Sequence, residues 1–93
     1  MIQGFACRRT QQLWIEREAG RFPPDVAKRA LGKLAQLEAS MRLDDLRVPP
    51  SNHLELLKGK RKGQHSIRVN GQWRICFVWT DSGPIGIELI DYH

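Results

Sequence analysis

The sequence has 93 residues, of which 41% are hydrophobic and 27% charged, which is typical of one globular domain with a single core and excludes a disordered chain. Its net charge of +5 favours a polyanionic partner, whether nucleic acid, an anionic membrane or an acidic protein. No apolar run approaches the roughly 20 residues that cross a bilayer, and the first residues lack the form of a secretory signal, so we expect a cytosolic protein. A membrane-surface protein would need a long basic amphipathic helix, which the sequence lacks, so we expect no membrane partner.

Motifs that would identify a cofactor or a metal ion are lacking. The two cysteines, Cys7 and Cys76, form no CxxC motif, and the three histidines show no metal-ligand spacing with them. We therefore expect reduced thiols and no structural zinc. The sequence also lacks a Walker motif, GxGxxG, GxSxG and HExxH, which leaves nucleotide hydrolysis, dinucleotide redox chemistry, esterase and zinc-protease activity without support.

The first half of the chain reads as a strand and two helices. Residues 2–5 lean apolar and predict a first strand. Helical spacing over residues 8–18 predicts a helix that ends near Ala19-Gly20, where Gly20 can take the left-handed conformation. The second helix begins at Pro23-Pro24, because proline is tolerated in the first turn. Its apolar stripe should face the core. The stripe comprises Val26, Ala30, Leu34, Leu37 and Met41.

The second half reads as strands. Residues 43–52 carry turn and loop signals, residues 54–57 predict a short strand, and residues 64–69 and 72–79 predict a hairpin around a type I′ turn at Asn70-Gly71. One face of the hairpin's second strand would carry Trp73, Ile75, Phe77 and Trp79, and the other Arg74, Cys76 and Val78. A last strand follows from Ile85. The predicted order is β-α-α-β-β-β-β, an α+β domain with two helices on one face of a mainly antiparallel sheet.

A basic cluster is the first functional signal. From residue 58 to residue 74 there are six cations and no Asp or Glu. They are Lys58, Lys60, Arg61, Lys62, Arg68 and Arg74. A run of charge is usually a solvated loop, but the lack of acids, together with Gly59 and Gly63, which let backbone approach phosphate, favours nucleic-acid contact.

Two further groups carry polar chemistry. The terminal residues Asp91, Tyr92 and His93 continue from an apolar strand and offer a carboxylate, a phenol and an imidazole for proton transfer, although chain ends are commonly frayed. His53 and Glu55 are two residues apart and would face the same side of a strand, where a surface pair is the plainer interpretation. Tyr92 is also the aromatic residue best suited to stacking a base.

Several segments together resemble a known family. The motifs are RVPPSN from Arg47, LELLKGKRKG from Leu54, HSIRVN from His65, QWRICF from Gln72 and the terminal DYH. They closely resemble the HigB toxins, the plasmid-maintenance branch of the RelE superfamily, and the resemblance covers essentially the whole chain.

The resemblance implies a microbial-ribonuclease-like fold and an endoribonuclease, without metal or cofactor, that cleaves mRNA in the ribosomal A site and so inhibits translation and growth. It also implies neutralisation by a HigA-type antitoxin with a helix-turn-helix domain, so that operator DNA is contacted through the antitoxin complex. The family's C-terminal triplet corresponds to Asp91, Tyr92 and His93, its strand arginine to Arg74, and its lysine before the loop glycine to Lys58.

The general base is left open by this correspondence. Some family members place a histidine three residues before the lysine, and here that position is Glu55, with His53 two residues out of register. Glu55 or His93 would then remove the 2′-OH proton, and His93 or Tyr92 would act as acid or stack a base, with Asp91 orienting His93.

The cations divide into two roles. Arg74, supported by Lys58 and Arg68, would stabilise the charged phosphorane, and the other members of the basic cluster would hold ribosomal RNA through phosphate contacts. The alternative is a basic RNA- or DNA-binding module without catalysis.

Overall fold

Residues 1–92 are described by a computed structural model of the chain. Helix α1 spans Arg8–Glu16 and ends at Arg17, which takes the left-handed conformation with φ 59° and ψ 32°. The prediction that Gly20 caps this helix is therefore wrong. Arg17 tolerates the position because its guanidinium lies 4.4 Å from the Trp14 ring and donates to the Trp14 carbonyl.

Helix α2 spans Pro24–Ala39 and supplies the largest helical share of the core. The predicted stripe is confirmed at four positions and is wrong at Met41, which is 86% exposed. The helix ends before that residue, because Ser40 is extended and its hydroxyl donates to the Gln36 carbonyl at 2.7 Å.

Four antiparallel strands form one sheet in the order β1-β2-β3-β4. They are β1 Glu55–Leu56, β2 His65–Arg68, β3 Trp73–Thr80 and β4 Gly83–Asp91. Short 3₁₀ helices at Leu43–Arg47 and Pro50–Asn52 connect α2 to β1, and a third at Gly59–Arg61 lies between β1 and β2. The predicted α+β arrangement of two helices on one face of an antiparallel sheet is confirmed.

The predicted N-terminal strand is reduced to a single parallel bridge between Phe5 and Ile87. Backbone hydrogen bonds from Gln3 N to Pro84 O (2.9 Å) and from Ala6 N to Ile87 O (3.0 Å) hold the segment along the edge of β4. Because α1 starts at Arg8, few extended residues remain to form a ladder.

The turn between β2 and β3 also differs from the prediction. Neither Asn70 nor Gly71 has a positive φ, so the turn is not type I′. Instead, the Asn70 side-chain oxygen accepts from the backbone N–H groups of Gln72 and Trp73, each at 2.8 Å. The amide side chain thus replaces a backbone acceptor and produces a wider loop.

A β-bulge determines which residues of β4 enter the core. The pairing shifts between Cys76–Glu88 and Val78–Ile85, and Gly86 has a φ of 61°, a conformation that favours glycine. As a result Ile87 and Leu89 are buried, whereas Ile85 is 37% exposed.

The core lies between α1, α2 and one face of the sheet. The strand residues in it are Ile67, Val69, Ile75, Phe77, Ile87 and Leu89, and Trp73 and Trp79 pack partly buried against them, as the alternation on β3 predicted. Within residues 1–92, neither helix is long and apolar enough to cross a membrane.

Leu34→Ala tests this packing. Leu34 is fully buried, so removing its side chain should lower the free energy of unfolding in urea by about 2–5 kcal/mol. The control Met41→Ala changes a mostly exposed side chain and should alter stability by less than about 0.5 kcal/mol. Equal effects of the two substitutions would contradict the observed end of α2.

Candidate active site

Alternation on β3 places Arg74 on the face of the sheet that is directed away from the helices, hereafter the second face. Arg74 pairs with Arg68 of β2 and Ile90 of β4, and the next outward residue, Cys76, pairs with Ser66 and Glu88. Polar and charged residues of three strands therefore meet on this face.

Arg74 is the central cation of the second face, and only 9% of it is exposed. Its Nε donates to Ser66 Oγ at 2.8 Å, and its Nη2 donates to the backbone carbonyls of His53 at 2.5 Å and Ser66 at 3.4 Å. Within residues 1–92, no carboxylate oxygen lies within 4.0 Å of its guanidinium. The side chain is thus fixed in orientation by neutral acceptors, and its charge is available to an anion.

The C-terminal residues divide between the two faces. The Tyr92 ring lies 5.9 Å from the Arg74 guanidinium carbon, and its backbone N–H donates to the Gln72 carbonyl at 2.6 Å. Asp91 pairs with Trp73 and so belongs to the opposite face, where its Oδ2 accepts from Gln72 Nε2 at 2.9 Å. The structure brings Tyr92 to Arg74 but not Asp91, and His93 lies outside the described residues.

The two candidate bases occupy different positions. Glu55 is exposed and pairs with Ser66, so it lies on the second face beside the residue that holds Arg74. His53 precedes β1 and takes the left-handed conformation with φ 45°. The prediction that His53 and Glu55 face the same side of one strand is therefore wrong, because β1 begins at Glu55. The contact of His53 with the site is the backbone carbonyl that accepts from Arg74.

The loop from residue 58 to residue 64 contains exposed lysines and one paired arginine. Lys58, Lys60 and Lys62 are exposed. Arg61 instead donates to Gln64 Oε1 at 3.1 Å and forms an ion pair with Glu88 of β4 at 3.2 Å. Arg61 thus ties the loop to the sheet, which leaves the three lysines for external anions.

The Arg68 side chain is not held beside Arg74 by any hydrogen bond within residues 1–92, although the two residues are directly paired across β2 and β3. Like charges in that position repel each other. The Arg68 Nε donates to the Asn70 carbonyl at 3.1 Å, and the side chain lines a cavity with Arg29 and Lys33 of α2. Its charge is therefore directed toward the hairpin loop.

Cys76 is a buried thiol beneath this site. Burial raises its pKa, as does Glu88, while the guanidinium groups of Arg61 and Arg74 oppose the rise. The thiol form is therefore favoured at neutral pH, which argues against a nucleophilic role. Both cysteines are free.

Ser66 is the site residue that sequence reasoning missed. It is fully buried, and its hydroxyl oxygen accepts the hydrogen bond that Arg74 Nε donates. The sequence carries no clear signal for it, because β2 is a mostly polar strand and the pairing of Ser66 with Cys76 depends on the wider loop that the structure shows.

The fold resembles that of a solved structure. The chain is similar to a chain of the YoeB–YefM complex from Staphylococcus aureus, with a TM-score of 0.63 and 16% sequence identity. The alignment covers all of this chain and 95% of the other. The two chains share one fold.

Sequence comparison defines the family. The model of the RelE-like toxin of type II toxin-antitoxin system HigB matches residues 5–93. Toxin HigB-1 of Vibrio cholerae serotype O1 is 42% identical over 83 residues, which cover 88% of this chain and 83% of the relative. An uncharacterized protein of Haemophilus influenzae is 40% identical over 62 residues, or 67% and 61% of the two chains. This chain belongs to the HigB-like toxin family of type II toxin–antitoxin systems.

Ser66→Ala tests how Arg74 is held. Removing the hydroxyl leaves the buried Nε of a charged group without its acceptor, so the free energy of unfolding should fall by about 1–3 kcal/mol. Ser82→Ala, at an exposed turn, is the matched control and should have little effect. Urea unfolding of the two variants checks this. If Ser66→Ala left the free energy of unfolding unchanged, the hydrogen bond from Arg74 to Ser66 would not contribute to stability.

Proposed function

We propose that this toxin is a cytoplasmic endoribonuclease that cleaves mRNA in the ribosomal A site and thereby stops translation and growth. The observation that carries the proposal is the buried Arg74 guanidinium, which neutral acceptors orient and no carboxylate within residues 1–92 neutralises. A preorganised cation of this kind stabilises charge that develops on a phosphoryl group during reaction.

The reaction uses the nucleophile that RNA itself carries. A base removes the proton of a 2′-OH, the 2′-oxygen bonds to the adjacent phosphorus, and the P–O5′ bond breaks as an acid protonates the departing oxygen. The products are a 2′,3′-cyclic phosphate and a 5′-OH end. Arg74 would contact the non-bridging oxygens of the phosphorane, with Lys58 adding charge from the loop.

Glu55 and His93 are the alternatives for the base. Glu55 is favoured by its place on the second face beside Ser66 and by its exposure, which lets it reach a substrate. Tyr92 would stack a base of the mRNA or serve as the acid. The position of its half-exposed ring near Arg74 supports either role. Asp91 lies on the opposite face of the sheet. It would therefore orient His93 rather than contact the phosphate.

Two kinds of partner are proposed, ribosomal RNA from the charge of the loop and an antitoxin from the family. Lys60 and Lys62 would hold ribosomal RNA, with Arg61 positioning the loop that carries them. A HigA-type helix-turn-helix antitoxin would neutralise the toxin and bring it to operator DNA. Similarity to a chain of a toxin–antitoxin complex supports a protein partner.

Arg74→Lys separates catalysis from simple binding. Lysine keeps the charge but loses the planar fork that Ser66 and His53 orient, so mRNA cleavage in a translating extract should fall by about 100-fold or more. Arg21→Lys, at an exposed arginine, is the control and should retain full activity. Mapping of mRNA 5′ ends measures cleavage. Full activity of Arg74→Lys would contradict the role given to its planar fork. No cleavage by the unmodified toxin would favour a non-catalytic basic RNA- or DNA-binding module.

Glu55→Gln identifies the base. The amide cannot accept the 2′-OH proton, and we expect a loss of about 100-fold in the single-turnover cleavage rate on programmed ribosomes. Glu16→Gln, an exposed acid at the end of α1, provides the control. Retained cleavage by Glu55→Gln, together with loss on deletion of His93, would assign the role to His93.

A further inference from the structure

A cationic cavity lies between α2 and the loop that joins β2 to β3. Its volume is about 530 Å³. The polar residues that line it are Arg29, Lys33, Gln36, Ser51, Arg68 and Asn70, and no lining residue is acidic. Neither Arg74 nor Tyr92 lines it, so this cavity is distinct from the candidate active site.

Lys33 is positioned in the cavity by a buried amide. Its Nζ donates to Asn52 Oδ1 at 2.5 Å. Asn52 is fully buried, and its Nδ2 donates to the Leu46 carbonyl and to Gln36 Oε1, each at 3.0 Å. Burial and the charge of Arg29 lower the pKa of Lys33, which means that its charged form is disfavoured there. A bound anion would stabilise that charged form.

Arg68 closes the opposite side of the cavity. Its bond to the Asn70 carbonyl holds the side chain there, and its Nη2 lies 3.7 Å from the point that a Cβ of Gly71 would occupy. Three cations from a helix and a strand therefore surround one space, and each of them lacks a carboxylate within 4.0 Å in the described part of the chain.

We propose that this cationic cavity binds the phosphodiester backbone of RNA, as a second anion site beside the one at Arg74. Cationic donors and a polar lining suit a hydrated phosphodiester. An acidic peptide would gain little apolar burial, because Val69 is the one apolar residue, glycine aside, that lines the cavity and it is already 95% buried in the core.

The position of Arg68 indicates how one RNA strand could reach both anion sites. Arg68 and Arg74 are paired residues of β2 and β3 whose guanidinium groups serve different sites, so one strand of RNA passing around the hairpin would contact both. The choice of RNA as ligand rests on the proposed function, and the backbone held here would be outside the nucleotide that is cleaved.

Binding of an uncleavable RNA tests the cavity. The probe is a fluorescent 2′-O-methyl oligonucleotide of about twelve nucleotides, a length that spans an ordinary single-strand site. Fluorescence anisotropy without ribosomes gives its affinity for the purified toxin across a salt series. The paired substitution Arg29→Gln with Lys33→Gln should weaken binding, and the slope of log K against log salt should fall by about 1.4, the amount for two lost phosphate contacts.

A matched control removes the same charge elsewhere. Arg21→Gln with Lys28→Gln changes two exposed cations that do not line the cavity, and it should leave the slope nearly unchanged. Arg68→Gln keeps the Asn52 hydrogen bonds intact, so it tests the site even if the Arg29 and Lys33 substitutions disturb folding.

Two results would overturn the proposal. Equal losses in the cavity and control variants would mean that the RNA responds to net charge alone. Displacement of the RNA by poly-L-glutamate of the same charge, with the same dependence on Arg29 and Lys33, would assign the cavity to an acidic protein segment. Because the probe has no 2′-OH and no ribosome is present, either result leaves the proposed cleavage standing, and failure of cleavage leaves this binding test unaffected.

Discussion

A buried guanidinium that no carboxylate of residues 1–92 pairs with is the constraint on which the second face of the sheet depends. Taking a charge out of water is costly unless hydrogen bonds replace the lost hydration. For Arg74 the replacement comes from Ser66 of β2 and from the carbonyl that His53 presents in its left-handed conformation. Burial of Arg74 therefore depends on two features at once. The β2–β3 register must bring Ser66 to it, and the connection before β1 must bring the His53 carbonyl to it. An anion at this position would complete the compensation.

One strand serves both the core and the site, and this division was predictable. Alternation on β3 is a local property, so the apolar set from Trp73 and the polar set from Arg74 could be assigned without knowing their neighbours. The same holds for the stripe on α2, which depends only on helical periodicity. The opposite sides taken by Asp91 and Tyr92 also follow from alternation. The two-helix, antiparallel-sheet fold was thus accessible from the sequence.

Features that depend on distant partners were not accessible. Arg61 looked like a free cation of the basic loop, because Glu88, which neutralises it, is 27 residues away. The Arg68 side chain bonds to the Asn70 carbonyl in the wide turn, and like charges disfavour its approach to Arg74. Neither effect can be predicted before the strands are paired. The Gly86 bulge likewise changed the exposure of Ile85 through pairing geometry alone.

The segment that failed to form a first strand has another consequence. Exposed sheet edges invite pairing with other chains and so promote aggregation. Here the outer edge of β4 is occupied by backbone from residues 3–6 and by the Thr10 hydroxyl, which accepts the Leu89 N–H at 3.0 Å. The opposite edge, β1, is two residues long and carries a charged Glu55. Both edges of the sheet are thus protected against pairing with the strands of another chain.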